Sequence, residues 1–511
     1  MDDIDVAVIG SGMGGMTAAR LLAQQGLQVH IFEQHTTAGG MTHEFGRPGG
    51  WTFSAGLHYL GRDPQRQWLP LFERLTDGKI EWAQMPEDYD LVHLPGLDFA
   101  IPAGADRFRR RLIERFPSEE AAIRSYFHDL RRVGGVIALP AVAGAFSATL
   151  AGVAARISSW LTPIAIMRTA DYMRSRFHDP ALIALLTAQW GDTALPSHSA
   201  FGYHAQLVGH YLEGAMYPLG GSRSIAGAAL SGLRREGGAI HVGCRVEEIL
   251  VENGRARGIV YRNRAKDEVK TVRARWVVSD AGVRNTFGRL LAPGLRARFA
   301  PALAPLADNG SAVCAFLQLE RSPAQLGATG GNVWLTDTAD PDAAFVAAPG
   351  EGQIFASFPS LKDSRRAHHS IEIISPCDAT LFAHWADEAH PRTSDAYLAF
   401  KRRIGARLVE RLEKVLPGLS GIVKDVEVAT PLTFETFQNS PAGAFYGLDP
   451  TPAKAMARLT RVRTPIAGLA LAGQDVLMPG IVPAMIGGAL AACAVLGPLR
   501  GSGLLARVMR R

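Results

Sequence analysis

The hydrophobic pattern changes period within the first thirty-odd residues. Val6 to Ile9 is an unbroken apolar run, the signature of a central parallel strand buried on both faces. Gly10 to Gly15 (GSGMGG) follows at once, and Thr17 to Gln25 then places small and apolar residues on one face of a helix. Gly26 ends that helix, Leu27 to Phe32 reads as a second strand, and Glu33 closes it 18 residues after Gly15. Strand, glycine turn, helix, strand and terminal acid together predict a dinucleotide-binding unit. Gly10 allows the tight turn, Gly12 lets backbone approach a pyrophosphate, and Gly15 lets the helix pack close to the sheet. The helix N-terminus offers free N–H groups and the positive end of its dipole to phosphate. An acid at position 33 suits ribose hydroxyls and disfavours a 2′-phosphate, so NADP is not expected.

Further elements recur downstream. Tyr217 begins a Gly-rich turn (YPLGG) that opens a helix ending at Gly237 and Gly238. Ala239 onward reads as strand, turn and strand, with Asn253-Gly254 as the hairpin signal, and Val272 to Ser279 is another strand. Near the end, a strand over Leu469 to Ala472 runs into Gly473-Gln474-Asp475, a turn at Pro479-Gly480, and a small-residue helix from about Pro483. The start of that helix, near Ile481, Val482 and Ala484, would aim its dipole at the electron-rich edge of a reduced flavin. No second GxGxxG follows a strand, so a separate NAD(P)H domain is not expected. N- and C-terminal segments joined around one cofactor favour FAD.

The uncharged run Val133 to Ala155, and a second from Ile157 to Met167, depart from globular habit. The first is long enough for a bilayer, where about 20 apolar residues suffice. Its Ala, Gly and Pro140 content favours helices lying on a membrane surface or lining an apolar tunnel, with a buried helix pair as the alternative. Arg131, Arg132, Arg156 and Arg168 flank these runs and suit lipid headgroups. The basic tail from Leu504 reads as amphipathic and points the same way.

Composition adds limits. The 511 residues suffice for two or three domains of core, and 47% hydrophobic with 20% charged content is globular. The net charge of +6 is dispersed without aromatic interleaving, which argues against a nucleic-acid partner. Cys244, Cys314, Cys377 and Cys493 are scattered, so neither zinc nor a disulfide framework is indicated, as in a reducing cytoplasm. The first strand begins by Asp5, so no signal peptide is expected ahead of it. The His368-His369 pair lacks a carboxylate at ligand spacing and reads as loop or surface, so no metal site is expected.

The glycine turn, Glu33 to Phe45 (EQHTTAGGMTHEF), Phe53 to Gly61 (FSAGLHYLG), Tyr217 to Gly221, Val277 to Gly282 (VVSDAG), Pro441 to Leu448 (PAGAFYGL) and Ala472 to Gly480 (AGQDVLMPG) share a further property. Through them the chain resembles the phytoene desaturase, carotenoid isomerase and retinol saturase group of FAD-dependent oxidoreductases, most of all the retinol saturase and carotenoid isomerase branch. The resemblance implies an α/β fold: a Rossmann-like FAD-binding domain from 1–75, 215–300 and 460–511, and a mixed α+β substrate domain with apolar helices from 76–214 and 301–459. It implies pyrophosphate held by Gly10, Ser11, Gly12, Gly14 and Gly15, ribose by Glu33 with Gln34, and the flavin passed by Gly39, Gly40 and Met41. Val246 would meet adenine through its backbone, Gly473 and Asp475 the pyrophosphate or ribityl chain, and Ile481, Val482 and Ala484 the pyrimidine edge. The implied substrate is an apolar isoprenoid or lipid, saturated or desaturated at a carbon–carbon double bond. Redox-neutral isomerisation by reduced FAD, a non-catalytic flavin-stabilised lipid carrier and an amine oxidase are the alternatives. His58 and Tyr59 are the candidate proton donors, with Tyr446 a further one, and His58 is also a candidate flavin contact. Ser54 stands where members of the group often carry an acid. The electron partner is open.

Overall fold

The computed structural model describes residues 3–389 and 392–508. Two seven-stranded sheets carry the fold. The first is built where the sequence predicts it. Ile4–Ile9 lies between Val29–Phe32 and Glu268–Ser279, all parallel, with Ala239–His241 outside Val29–Phe32 and Leu469–Leu471 outside Glu268–Ser279. Val6, Ala7 and Val8 are wholly buried, as a strand covered on both faces requires. Glu268–Ser279 is shared: its second half joins the parallel sheet, while its first half pairs antiparallel with Arg255–Asn263. Arg255–Asn263 forms a hairpin with Cys244–Glu252 through Asn253 and Gly254, both at positive φ, as a type I′ turn demands.

The helix Met13–Ala23 is buried along its whole length and packs on the helix Ile481–Val508. This crossing explains the small residues at both ends of the chain. A Cβ on Gly488 would lie 2.1 Å from the Gly14 carbonyl oxygen, and one on Gly14 would lie 2.3 Å from the Gly473 nitrogen. Neither backbone could approach the other with larger residues there.

The second sheet runs Val423–Ala429, Ser311–Leu319, His369–Cys377, Ile354–Ser357, Asn332–Leu335, Asp88–Leu94, Leu97–Pro102. All its pairings are antiparallel except Asn332–Leu335 with Asp88–Leu94. Ser311–Leu319 is buried throughout, and its residues divide by twos: Val313, Ala315 and Leu317 pack under the helix Asp395–Glu413, whereas Cys314 and Phe316 face the opposite core. Glu372 is in register with Phe316.

The uncharged stretch does not form one span. It breaks into the end of Glu120–Gly134, the helix Leu139–Phe146 and the helix Ala148–Leu161, because Ser147 turns extended and accepts from the Leu150 N–H. The two helices make a hairpin against the C-terminal helix. Its outer side leaves Leu150, Val153, Ile157, Trp160 and Leu161 exposed, Trp160 by 80%. The C-terminal tail departs from the amphipathic surface reading: Leu504 and Val508 are buried, so its apolar side is taken up by the core, and residues 509–511 lie outside the described residues. Among the described residues one helix, Ile481–Val508, is long and apolar enough to cross a membrane. It breaks at Gly497 before Pro498 and packs inside the α/β body.

Candidate active site

One continuous cavity of about 1980 Å³ runs from the glycine turn, past the strand Thr52–Ser54 and the loop after it, to the helix Glu120–Gly134 and the base of the apolar hairpin at Ala138 and Val142. Pockets for one small molecule are typically ~300–1,000 Å³. There is room for a dinucleotide and a long apolar molecule together.

At the dinucleotide end the cavity is lined by Gly10, Ser11, Gly12, Glu33, Gln34, Gly40, Met41, Val246, Asp475, Ile481, Val482 and Ala484. Gly14, Gly15, Gly39 and Gly473 stand behind this lining. A Cβ on Gly15 would meet the Gly10 carbonyl at 2.2 Å, and the Gly39 N–H donates to Ser11 Oγ at 3.0 Å, closing the 39–41 loop on the turn. Glu33 is organised by its neighbours: Ser11 donates to it from N–H (2.9 Å) and Oγ (2.7 Å), and the His35 N–H donates to its other oxygen (2.7 Å). Asp475 accepts from the Val283 and Leu448 N–H groups, both at 2.8 Å, and so ties the 441–448 segment to the end of the first sheet.

Asp280, in the VVSDAG motif, carries no role that the sequence alone reveals. Its carboxyl accepts from the Gly15 N–H at 2.8 Å, and a Cβ on Gly12 would lie 2.6 Å from it. The lack of a side chain at Gly12 therefore serves this carboxyl as well as ligand access. Burial pushes Asp280 up to about 7 against the Gly15 hydrogen bond, and the Glu33 and Asp475 charges add to the rise. A side-chain-free cradle opening into the cavity, an ordered acid beyond the second strand and a helix N-terminus at Ile481 fit FAD.

On the other side, His58, Tyr59 and Tyr446 all line the cavity. His58 Nδ1 lies 2.9 Å from Glu372 Oε2, and Nε2 is buried without a protein partner. Glu372 also accepts from the Ser54 N–H at 2.7 Å. The acid missing at Ser54 is thus replaced in space by one 318 residues later, on the second sheet. Sequence reading missed Glu372; its signal was a lone carboxylate in the apolar strand His369–Cys377. Beneath the loop, Lys362 Nζ donates to the His58 carbonyl (3.0 Å), to Ser357 Oγ (2.7 Å) and to Asn332 Oδ1. Burial drives Lys362 down to about 7, opposed by the Asp90 and Glu372 charges. The Tyr59 hydroxyl points away from solvent between two carboxyls, Asp192 at 3.0 Å and Asp90 at 3.2 Å. Its ring stacks on Tyr211 at 4.4 Å. Neither Asp90, Asp192 nor Lys362 was singled out in the sequence. His368 packs on the Trp51 ring and His369 opens a strand, and no group of three potential metal ligands occurs among the described residues.

A Rossmann-type cradle completed by the C-terminal helix, opening into a cavity shared with a second mixed sheet, defines an FAD-dependent oxidoreductase. Solved structures carry the same fold: a putrescine oxidase (TM-score 0.63, 13% identity, 97% of this chain and 99% of that one) and cyclohexylamine oxidase from Brevibacterium oxydans IH-35A (TM-score 0.62, 16% identity, 100% of both). The NAD(P)-binding Rossmann-like domain family matches residues 8–75. All-trans-retinol 13,14-reductases from Macaca fascicularis and Homo sapiens are each 30% identical over 97% of this chain and 86% of their own length. Prolycopene isomerase from Arabidopsis thaliana is 26% identical over 93% of this chain and 79% of its own. The chain belongs to the all-trans-retinol 13,14-reductase family.

Proposed function

We propose that the protein reduces a carbon–carbon double bond in an apolar, isoprenoid-like polyene. The observation that carries this is the continuity of the cavity, from the glycine cradle to walls built by Phe127, Leu130, Ala138 and Val142. A channel of that lining desolvates a long hydrocarbon and excludes water from its double bonds. Reduced FAD supplies a two-electron hydride donor. Kinship with retinol reductases favours saturation over isomerisation.

The division into an FAD-binding part (1–75, 215–300, 460–511) and a substrate part (76–214, 301–459) is supported by the strands each sheet recruits. In this reading Gly10, Ser11 and Gly12 meet the pyrophosphate, Glu33 the ribose, Val246 the adenine, and Met41 with Ile481 to Ala484 the ring system. His58, oriented by Glu372, offers Nε2 to the bound cofactor or substrate. The exposed face at Leu150, Val153, Ile157 and Trp160, with exposed Arg131, Arg132, Arg156 and Arg168 around it, supports a peripheral position on a cytoplasmic membrane surface. Substrate would enter from the lipid beside Ala138 and Val142.

The test is an anaerobic titration of chemically reduced holoprotein with all-trans-retinol. The reading predicts oxidised flavin in the spectrum and a product two mass units heavier. A product of unchanged mass means isomerisation. Flavin indifferent to every polyene offered rejects the reading.

A further inference from the structure

The proton needed to complete such a reduction has a structural source. Asp192 ends the short helix Ala188–Asp192 and lines the cavity together with Tyr59, Tyr211 and Tyr446. Tyr446 directly precedes Gly447 and Leu448, the segment held by Asp475, so this patch of wall adjoins the cofactor end. Behind it stands Asp90, wholly buried, which accepts from Asn332 Nδ2 (2.8 Å) on one oxygen and from Gln189 Nε2 (2.7 Å) on the other. The Tyr59 oxygen connects the two carboxyls at 3.0 and 3.2 Å. A hydroxyl has one proton and cannot donate to both. The second contact is satisfied when Asp90 carries a proton of its own and donates it to the Tyr59 oxygen. Carboxyl, hydroxyl and carboxyl then form an ordered chain ending at the cavity. A second observation says the same wall receives a ligand: His58 Nε2 is buried there, its side chain 10% exposed, with no partner.

We propose that Asp192 gives the proton to the substrate double bond and that Tyr59 and Asp90 replace it. This rests on the polyene-reductase reading above. The Asp192 O–H bond breaks as a C–H bond forms at one alkene carbon. The other carbon receives hydrogen with its electron pair from the reductant, reduced flavin. Asp192, left as carboxylate, takes the Tyr59 hydroxyl proton while Tyr59 takes one from Asp90. Asp90 ends the relay as carboxylate, facing Lys362 and restored by a proton from solvent between turnovers.

The electrostatics suit the task. Burial pushes Asp192 up to about 7, with the Asp90 charge adding and the Tyr59 hydrogen bond opposing. Burial pushes Asp90 up to about 6, against its hydrogen bonds from Asn332 and Gln189 and the Lys362 charge. Tyr59 itself is held far above its ordinary value, first by burial and then by Asp192 and Asp90, so it relays protons without resting as phenolate. The remaining tyrosines around the relay, Tyr89, Tyr211 and Tyr446, are held well up by burial and stay neutral.

The experiment compares wild type, Asp192→Asn and Tyr59→Phe as reduced holoproteins with matched flavin content. Oxidation of the flavin by all-trans-retinol should slow by about 10²-fold or more in D192N, the range general acids contribute. Oxidation by benzoquinone, which needs no proton on carbon, should change less than about twofold on the same ground. The wild-type minus D192N infrared difference should hold a protonated-carboxyl band that fades as pH rises through about 7, the Asp280 carboxyl being common to both proteins. In Y59F, removal of the hydrogen bond to the carboxylate should move the fall of rate to higher pH and lower its plateau. Equal retinol rates in wild type and D192N, or a difference spectrum without that band, overturn the proposal. No retinol reaction in wild type overturns the polyene reading with it.

Discussion

Asp280 shows how one carboxyl can govern the cofactor end. Below about pH 7 it is neutral and would add no repulsion to a pyrophosphate bound at the glycine turn; above that it would ionise beside one. A group raised in this way favours anion binding at low pH, and the advantage disappears as pH climbs through its value. FAD affinity measured by fluorescence quenching should therefore weaken between pH 6 and 8 by about tenfold, one pKa unit of interaction being ~1.4 kcal/mol. Asp280→Asn should flatten that dependence, and an unaltered slope would refute the assignment. Gly12→Val should abolish flavin binding, because its Cβ would stand 2.6 Å from the Asp280 carboxyl; absorbance near 450 nm of the purified variant reads the outcome. The placement of Gly10, Gly12 and Glu33 on the cavity wall was legible in sequence because it is local: each lies within one strand–helix–strand unit. Asp192 and Glu372 were not. Their partners lie 133 and 314 residues away, at Tyr59 and His58, and only the assembled sheets bring them together.

At the scale of elements, period served better than length. The first strand and the Asn253-Gly254 hairpin fall where the pattern puts them, since each is fixed by apolar spacing or turn chemistry, whereas the first helix begins at Met13, ahead of the expected Thr17, because the glycine turn itself winds into its first turn. The uncharged stretch looked continuous because hydropathy ignores Ser147, which turns the chain back. What remains on the outside is a helix face with Trp160 near its end, and Arg132 donating to the Leu161 carbonyl there. Burying a large apolar side chain is worth ~1.5–3 kcal/mol, so the double variant Leu150→Glu, Trp160→Glu should lose ~10²-fold or more in partition to anionic vesicles. Co-sedimentation measures this, with flavin content unchanged. Equal sedimentation of variant and wild type would remove the membrane from the account.

The whole molecule is closed by the contact between its two ends. Helix Met13–Ala23 and helix Ile481–Val508 approach so closely that Gly14 and Gly488 touch backbone to backbone. Gly488→Val should force them apart at a cost of ~1–3 kcal/mol or more, the usual penalty of overpacking. Thermal denaturation should show a lowered midpoint, partly restored by excess FAD through mass action. A midpoint equal to wild type would mean the crossing yields more readily than its geometry suggests.

That crossing also sets an order of events during synthesis. The glycine turn leaves the ribosome well before the helix Ile481–Val508 that completes its cavity. Until residues near 488 emerge, Gly14 lacks the Gly488 backbone it packs against, and the flavin site is half a site. Cofactor loading therefore waits for the helix Ile481–Val508, and a product ended before it is released without its colour.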